Sequence, residues 1–134
     1  MVVQAVSVLL ATVAALLHSA AAEPATIAAL LNDPKSFHGR VVSLSGWVND
    51  CRPLSCALED RPGSGQQQRR RRLSIAADRE FDEAVATGSP VRVQVDARFD
   101  ATCLTTHICV DRVPVLTIIG FRVAGEGSAI RRKQ

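Results

Sequence analysis

Strict alternation over residues 91–99 constrains the fold more than any other feature of the chain. The odd positions are apolar and the even positions are polar or charged. The two sets are Val91, Val93, Val95, Ala97 and Phe99, against Arg92, Gln94, Asp96 and Arg98. A period of two is typical of a β-strand with one buried face and one solvated face. We therefore predict a half-buried strand over these residues.

Four further segments have the composition and the period of strands. Residues 41–48 place Val42, Leu44, Gly46 and Val48 on one face, and the glycine in the interior suggests a bulge or a tight bend. The other three predicted strands are 55–59, 73–77 and 113–123.

Two segments have helical spacing instead. Residues 26–31 carry apolar side chains on one helical face, and Thr26 is a candidate N-cap. Residues 78–87 do the same, with Asp78 as a candidate N-cap and Gly88 after the last turn. The predicted order is helix, three strands, helix, two strands.

The first 22 residues have the composition of an export signal. They contain no Lys, Arg, Asp or Glu, and they end in small residues before Glu23. We predict a signal peptide over 1–22, a mature chain that starts at Glu23 with no membrane span, and a periplasmic or secreted location. The alternative is an uncleaved membrane anchor, because the apolar run approaches the length that spans a bilayer.

Four cysteines fall in two close pairs, Cys51 with Cys56 and Cys103 with Cys109. In an oxidising compartment an even number of cysteines indicates disulfides. In the chain-entropy model, a long-range disulfide would stabilise the fold by about 4 kcal/mol, and a local disulfide by about 2 kcal/mol. Proximity along the chain nevertheless favours the local pairs, and the connectivity stays open at this point.

A metal site is not expected at these cysteines. His107 lies inside the second pair and His38 is a further possible ligand, but the cysteine spacings differ from those of common zinc sites. We also find no nucleophile with a base beside it, so we predict no catalytic site and no cofactor.

Residues 60–72 form a polar segment that ends in a basic run, Arg69, Arg70, Arg71 and Arg72. Four adjacent guanidinium groups could grip the anionic groups of a polymer; the alternative is a solvated, mobile loop between two strands. The net charge of +3 implies no particular partner by itself. Residues 124–134 are predicted to be a polar, basic tail.

The element order and one strand-entry pattern resemble the OB-fold superfamily, in particular its nucleic-acid-binding, tRNA-anticodon-like domains. The pattern is Pro34-x-x-Phe37-x-Gly39-Arg40-Val41-Val42, then Gly46-Trp47-Val48, then Gly88-x-x-Val91-x-Val93-x-Val95. The resemblance implies a mainly β domain over 23–123: a five-stranded Greek-key barrel with a short N-terminal helix and a helix between strands 3 and 4.

The resemblance also suggests where a ligand would bind. OB domains stack bases or sugars on aromatic side chains of their early strands, so Trp47 is a candidate platform; the alternative is that it packs under the N-terminal helix. The expected ligand-binding residues are Trp47, Arg52, Arg69, Arg70, Arg71, Arg72 and His107.

We therefore expect a disulfide-stabilised binding domain and not an enzyme. Its expected partner is an anionic polymer, either nucleic acid or an envelope polysaccharide. The alternative is a protein interaction module of the cell envelope. The sequence leaves the ligand and the oligomeric state open.

Overall fold

The computed structural model describes residues 21–49, 51, 56–63, 71–76, 78–86, 90–105 and 115–125, and the backbone of 131–132. None of the helices in these ranges is both long enough and apolar enough to cross a membrane. The elements in chain order are β1 (Glu23–Pro24), α1 (Ile27–Asn32), α2 (Pro34–Phe37), β2 (Val41–Val48), β3 (Ala57–Glu59), β4 (Arg72–Ala76), α3 (Arg79–Val85), β5 (Val91–Phe99), α4 (Thr102–Thr105), β6 (Leu116–Val123) and β7 (Arg131–Arg132).

Five of the strands close into a barrel. The order around it is β2, β3, β4, β6, β5, and β5 returns to pair with β2 along all eight residues of that strand. Neighbours are antiparallel except β4 and β6, which run parallel. The fold is mainly β, and the closed five-stranded barrel confirms the predicted OB-like architecture, including the helix between its third and fourth strands.

Both helix starts are capped as the sequence predicts. The Thr26 side chain accepts a hydrogen bond from the Ala29 N–H at 3.1 Å, and Asp78 accepts one from the Phe81 N–H at 2.9 Å. Each bond satisfies a backbone donor that has no partner within its helix, typically worth about 1 kcal/mol. Helices this short depend on such caps and on packing against the barrel.

The interior is filled by the inward-facing residues of the five strands together with one face of α1 and one face of α3. Phe81 of α3 meets Phe121 of β6 edge-to-face, with ring centroids 5.2 Å apart. Phe99 is fully buried, whereas Phe37 is half-buried and packs against the core from α2. The apolar side chains whose alternation predicted the 91–99 strand point into the barrel, and the polar side chains between them point outward.

Gly46 allows β2 and β3 to cross closely. A Cβ atom on Gly46 would lie 2.7 Å from Cγ of Leu58 and 2.9 Å from the carbonyl oxygen of Glu59. Gly46 was predicted to mark a bulge or a tight bend, and against β5 there is no bulge, because β2 keeps an unbroken register with that strand from Val41 to Val48. The register shift that the barrel does contain lies in the β5–β6 pair at Asp96 and Ala97.

The sequence did not predict the short elements α2, α4, β1 and β7. β1 pairs with the start of β2, and Arg40 bonds Glu23 at 3.1 Å. β7 lies within the segment predicted to be a polar tail, and its backbone pairs with Gly120 and Phe121 of β6. These elements have too few residues to show a period.

Replacing Gly46 with alanine is expected to destabilise the domain by about 1–3 kcal/mol, because the added methyl group overlaps a backbone oxygen that cannot move away. Denaturant unfolding monitored by Trp47 fluorescence would measure the change. Ser45→Ala is the control, since Ser45 is exposed on the same strand. Equal midpoints for the two variants would contradict the close crossing.

Candidate functional site

Four side chains form a continuous row across the outside of the barrel. The strand register places Arg92 of β5 opposite Trp47 of β2, Trp47 opposite Glu59 of β3, and Glu59 opposite Arg72 of β4. Directly opposed side chains in antiparallel pairs have Cβ atoms about 5 Å apart. We call these four residues the outer row. It combines an aromatic ring, two cations and one carboxylate on one surface.

Trp47 is half-buried in this row. The guanidinium carbon of Arg92 lies 6.0 Å from the centre of the Trp47 ring, which is a cation–π contact. Trp47 lies on the face of β2 opposite the core residues and is not among the side chains packed on the core. Its observed neighbour is therefore an arginine of the adjacent strand, and not the N-terminal helix.

Asn49 fixes the chain beyond the row. It is buried, and its side-chain N–H groups donate to the Glu59 carboxylate and to the carbonyl oxygen of Arg61. Its oxygen accepts from the Gly63 N–H at 2.8 Å. A buried amide bonded at both ends holds its neighbours firmly, because each unmade bond would cost about 1–3 kcal/mol. Asn49 thus orients Glu59 and the start of the 60–72 segment.

The other end of that segment is held by two hydrogen bonds between Asp60 and Arg71. The Asp60 N–H donates to the carbonyl oxygen of Arg71 at 3.2 Å, and the Arg71 N–H donates to Oδ1 of Asp60 at 3.3 Å. The basic run therefore enters the barrel directly at Arg72, the last member of the outer row. Arg71 and Arg72 are both exposed.

Three of the seven predicted ligand-binding residues can thus be placed: Trp47 and Arg72 lie in the outer row, and Arg71 lies next to it. Arg52, Arg69, Arg70 and His107 lie outside the described residues. Arg92, Glu59 and Asn49 were not predicted. The alternation of 91–99 already placed Arg92 on the wet face, but only the register places it beside Trp47.

Cys51 and Cys56 are joined by a disulfide, which confirms the predicted local pairing. Cys103 is also disulfide-bonded, and its expected partner Cys109 lies outside the described residues. The first bond clips the connection from β2 to β3, and it rests on α3, where Oδ1 of Asp82 lies 3.3 Å from Sγ of Cys51.

Cys51, Cys56 and Asp82 are also the one group of potential metal ligands within the described ranges, with ligand atoms within 4.8 Å of one another. Metals bind cysteine as the thiolate. The two sulfur atoms here are bonded to each other, so neither offers that ligand, and the group supports no metal site in the oxidised protein.

A second polar cluster lies where α2 and α4 meet. Lys35, His38, Ala101, Thr102 and Thr105 line an open pocket of about 240 Å³. Nδ1 of His38 accepts the Ala101 N–H at 3.1 Å. This bond ties the end of α2 to the start of α4.

Asp100 completes this cluster. Hydrogen bonds from the side chain and from the backbone N–H of Thr102 lower the pKa of Asp100, and His38, 3.6 Å away, adds to the effect. The carboxylate forms a short turn that leads into α4. Because both Asp100 and His38 are more than half exposed, solvent screens the pair, and its contribution to stability is small.

Thr102→Ala should raise the pKa of Asp100 by removing the largest contribution to its lowering. A group whose pKa is lowered by folding stabilises the fold above its unfolded pKa, and this contribution disappears as pH falls through the folded value. The acid side of the stability–pH curve should therefore be flatter in the variant. NMR titration of the carboxyl group measures the pKa, with Thr105→Ala as the control; an unchanged Asp100 midpoint would contradict the assignment.

Comparison with protein-family models, with curated proteins and with solved structures finds no match to this chain. The OB-like architecture therefore stands on the strand order and register alone. The resemblance to nucleic-acid-binding members of that superfamily stays a prediction.

Proposed function

We propose that the chain is an exported, disulfide-stabilised OB-type domain that binds an anionic polymer along its outer row. The observation that carries the proposal is the register that sets Arg92, Trp47 and Arg72, the last residue of the basic run, on one surface. An aromatic ring flanked by cations suits a polymer that carries both anionic groups and faces that can stack. No catalysis is part of the proposal.

The charges of the row support an anionic ligand. Within the described part of the chain, the cations of the ion pairs are His38, Arg40 and Arg79. Neither Arg72 nor Arg92 has a carboxylate partner among the described residues. Arginine presents several donors in a rigid fork that matches carboxylate and phosphate groups. Arg72 is exposed and is the last residue of the basic run, so an anionic chain could extend from the row onto Arg71, Arg70 and Arg69.

The closed barrel supports the idea of a rigid platform. β2 is hydrogen-bonded on both sides where Trp47 lies, by β5 and by β3. The disulfide between Cys51 and Cys56 clips the connection that follows. A binding surface on rigid elements loses little conformational entropy when it meets its ligand.

Arg72→Ala and Arg92→Ala should each weaken binding of an anionic polymer about tenfold at low salt, and affinity should fall steeply as salt rises. Fluorescence anisotropy with a labelled oligogalacturonate and a labelled single-stranded oligonucleotide would measure both effects. Arg79→Ala is the matched control, because it removes the same charge from an exposed arginine on α3.

Affinity that responds neither to salt nor to alanine at Arg69, Arg70, Arg71 and Arg72 would refute the basic-segment part of the proposal. If neither polymer binds and a pull-down from envelope extract recovers one protein even without residues 64–70, the domain is a protein interaction module instead.

A further inference from the structure

We infer that the polymer is an acidic polysaccharide and not a nucleic acid, and that Glu59 makes this selection. The inference rests on the proposed function, since it concerns the same outer row. The row contains one group that a simple polyanion site would lack, a carboxylate between the aromatic ring and the second cation.

Glu59 is fixed in the centre of the outer row. The register sets it opposite Trp47 on one side and opposite Arg72 on the other. Its carboxylate accepts a hydrogen bond from the buried side chain of Asn49, and Asn49 is in turn bonded to Arg61 and Gly63. A ligand on the row therefore meets a carboxylate that cannot readily turn away.

A nucleic acid fits this arrangement poorly. Its phosphate groups would bind Arg72 only beside the Glu59 carboxylate, because the two side chains are directly opposed in the register. This repulsion applies to any anion on the row, so it disfavours a ligand only when nothing offsets it. The phosphate oxygens only accept hydrogen bonds, so a DNA backbone gives Glu59 no donor in return.

An acidic saccharide offers each member of the row a partner. Its carboxylates are spaced one to a sugar ring and can pair with Arg92 or Arg72, while its hydroxyl groups can donate to Glu59. The apolar face of a sugar ring can pack on Trp47. The exposed hydroxyl of Ser45, in the next outward position of β2, extends the polar surface, whereas the Gln94 amide opposite it is already bonded to Ser43 and Arg122.

The experiment compares an oligogalacturonate with a thymidine oligonucleotide that has the same number of negative charges, on the full mature chain and at one salt concentration. The wild-type protein should prefer the saccharide. Glu59→Gln should lower the ratio of saccharide affinity to oligonucleotide affinity about tenfold. The substitution relieves the repulsion between Glu59 and either anionic ligand, but only the saccharide loses the strong hydrogen bond from its hydroxyl group to the carboxylate.

Two controls accompany this comparison. Glu83→Gln removes an equal charge from α3 and should leave the affinity ratio unchanged. Glu59→Gln keeps a side-chain oxygen that can accept from Asn49, so its denaturant unfolding midpoint should match that of the wild-type protein. An unchanged ratio, or a wild-type preference for the oligonucleotide, would overturn the inference and leave the polymer-binding proposal standing. Failure of both ligands to bind would refute both.

Discussion

The barrel closes through the tight crossing of β2 and β3 at Gly46. β2 pairs with β5 along its whole length, and among the described residues it pairs with β3 at Trp47. The barrel can close only if β3 approaches β2 at that point, and the absence of a side chain on Gly46 admits Leu58 and the backbone of Glu59. The next residue outward, Trp47, then stands directly beside Glu59.

Barrel closure thus generates the candidate site. Gly46 faces inward and Trp47 faces outward, so the contact that seals the core also brings together the members of the outer row. Asn49, two residues further on, is buried against the start of the 60–72 segment and fixes Glu59. The core, the row and the stem of the basic segment are consequently parts of one arrangement, in which a change at Gly46 would disturb the spacing of the surface above it.

Most of the fold could be predicted because its signals are local. The period of two along 91–99 and the caps at Thr26 and Asp78 need only neighbouring residues, and the structure confirms all three. The purpose of Gly46 could not be predicted, since a bulge, a bend and a close approach look alike in one strand. The short elements, such as α4 and β7, were missed because propensity over two to four residues carries little information.

The site could be predicted only in part, for a related reason. Trp47 and Arg72 stood out by residue type and by the basic run. Glu59 and Arg92 look like ordinary wet-face residues, and only the pairing of strands distant in sequence gives them a role. His38 was considered as a metal ligand, whereas its bond to Ala101 ties two helices together.

We propose that the surface made by barrel closure is the binding surface. Mapping of amide and Trp47 indole chemical shifts during titration with a short acidic oligosaccharide would show whether it is. We expect saturable changes centred on Trp47, Glu59, Arg72 and Arg92, with little change around Lys35 and His38. Changes confined to the Lys35 and His38 pocket, or none at the outer row at saturation, would contradict it.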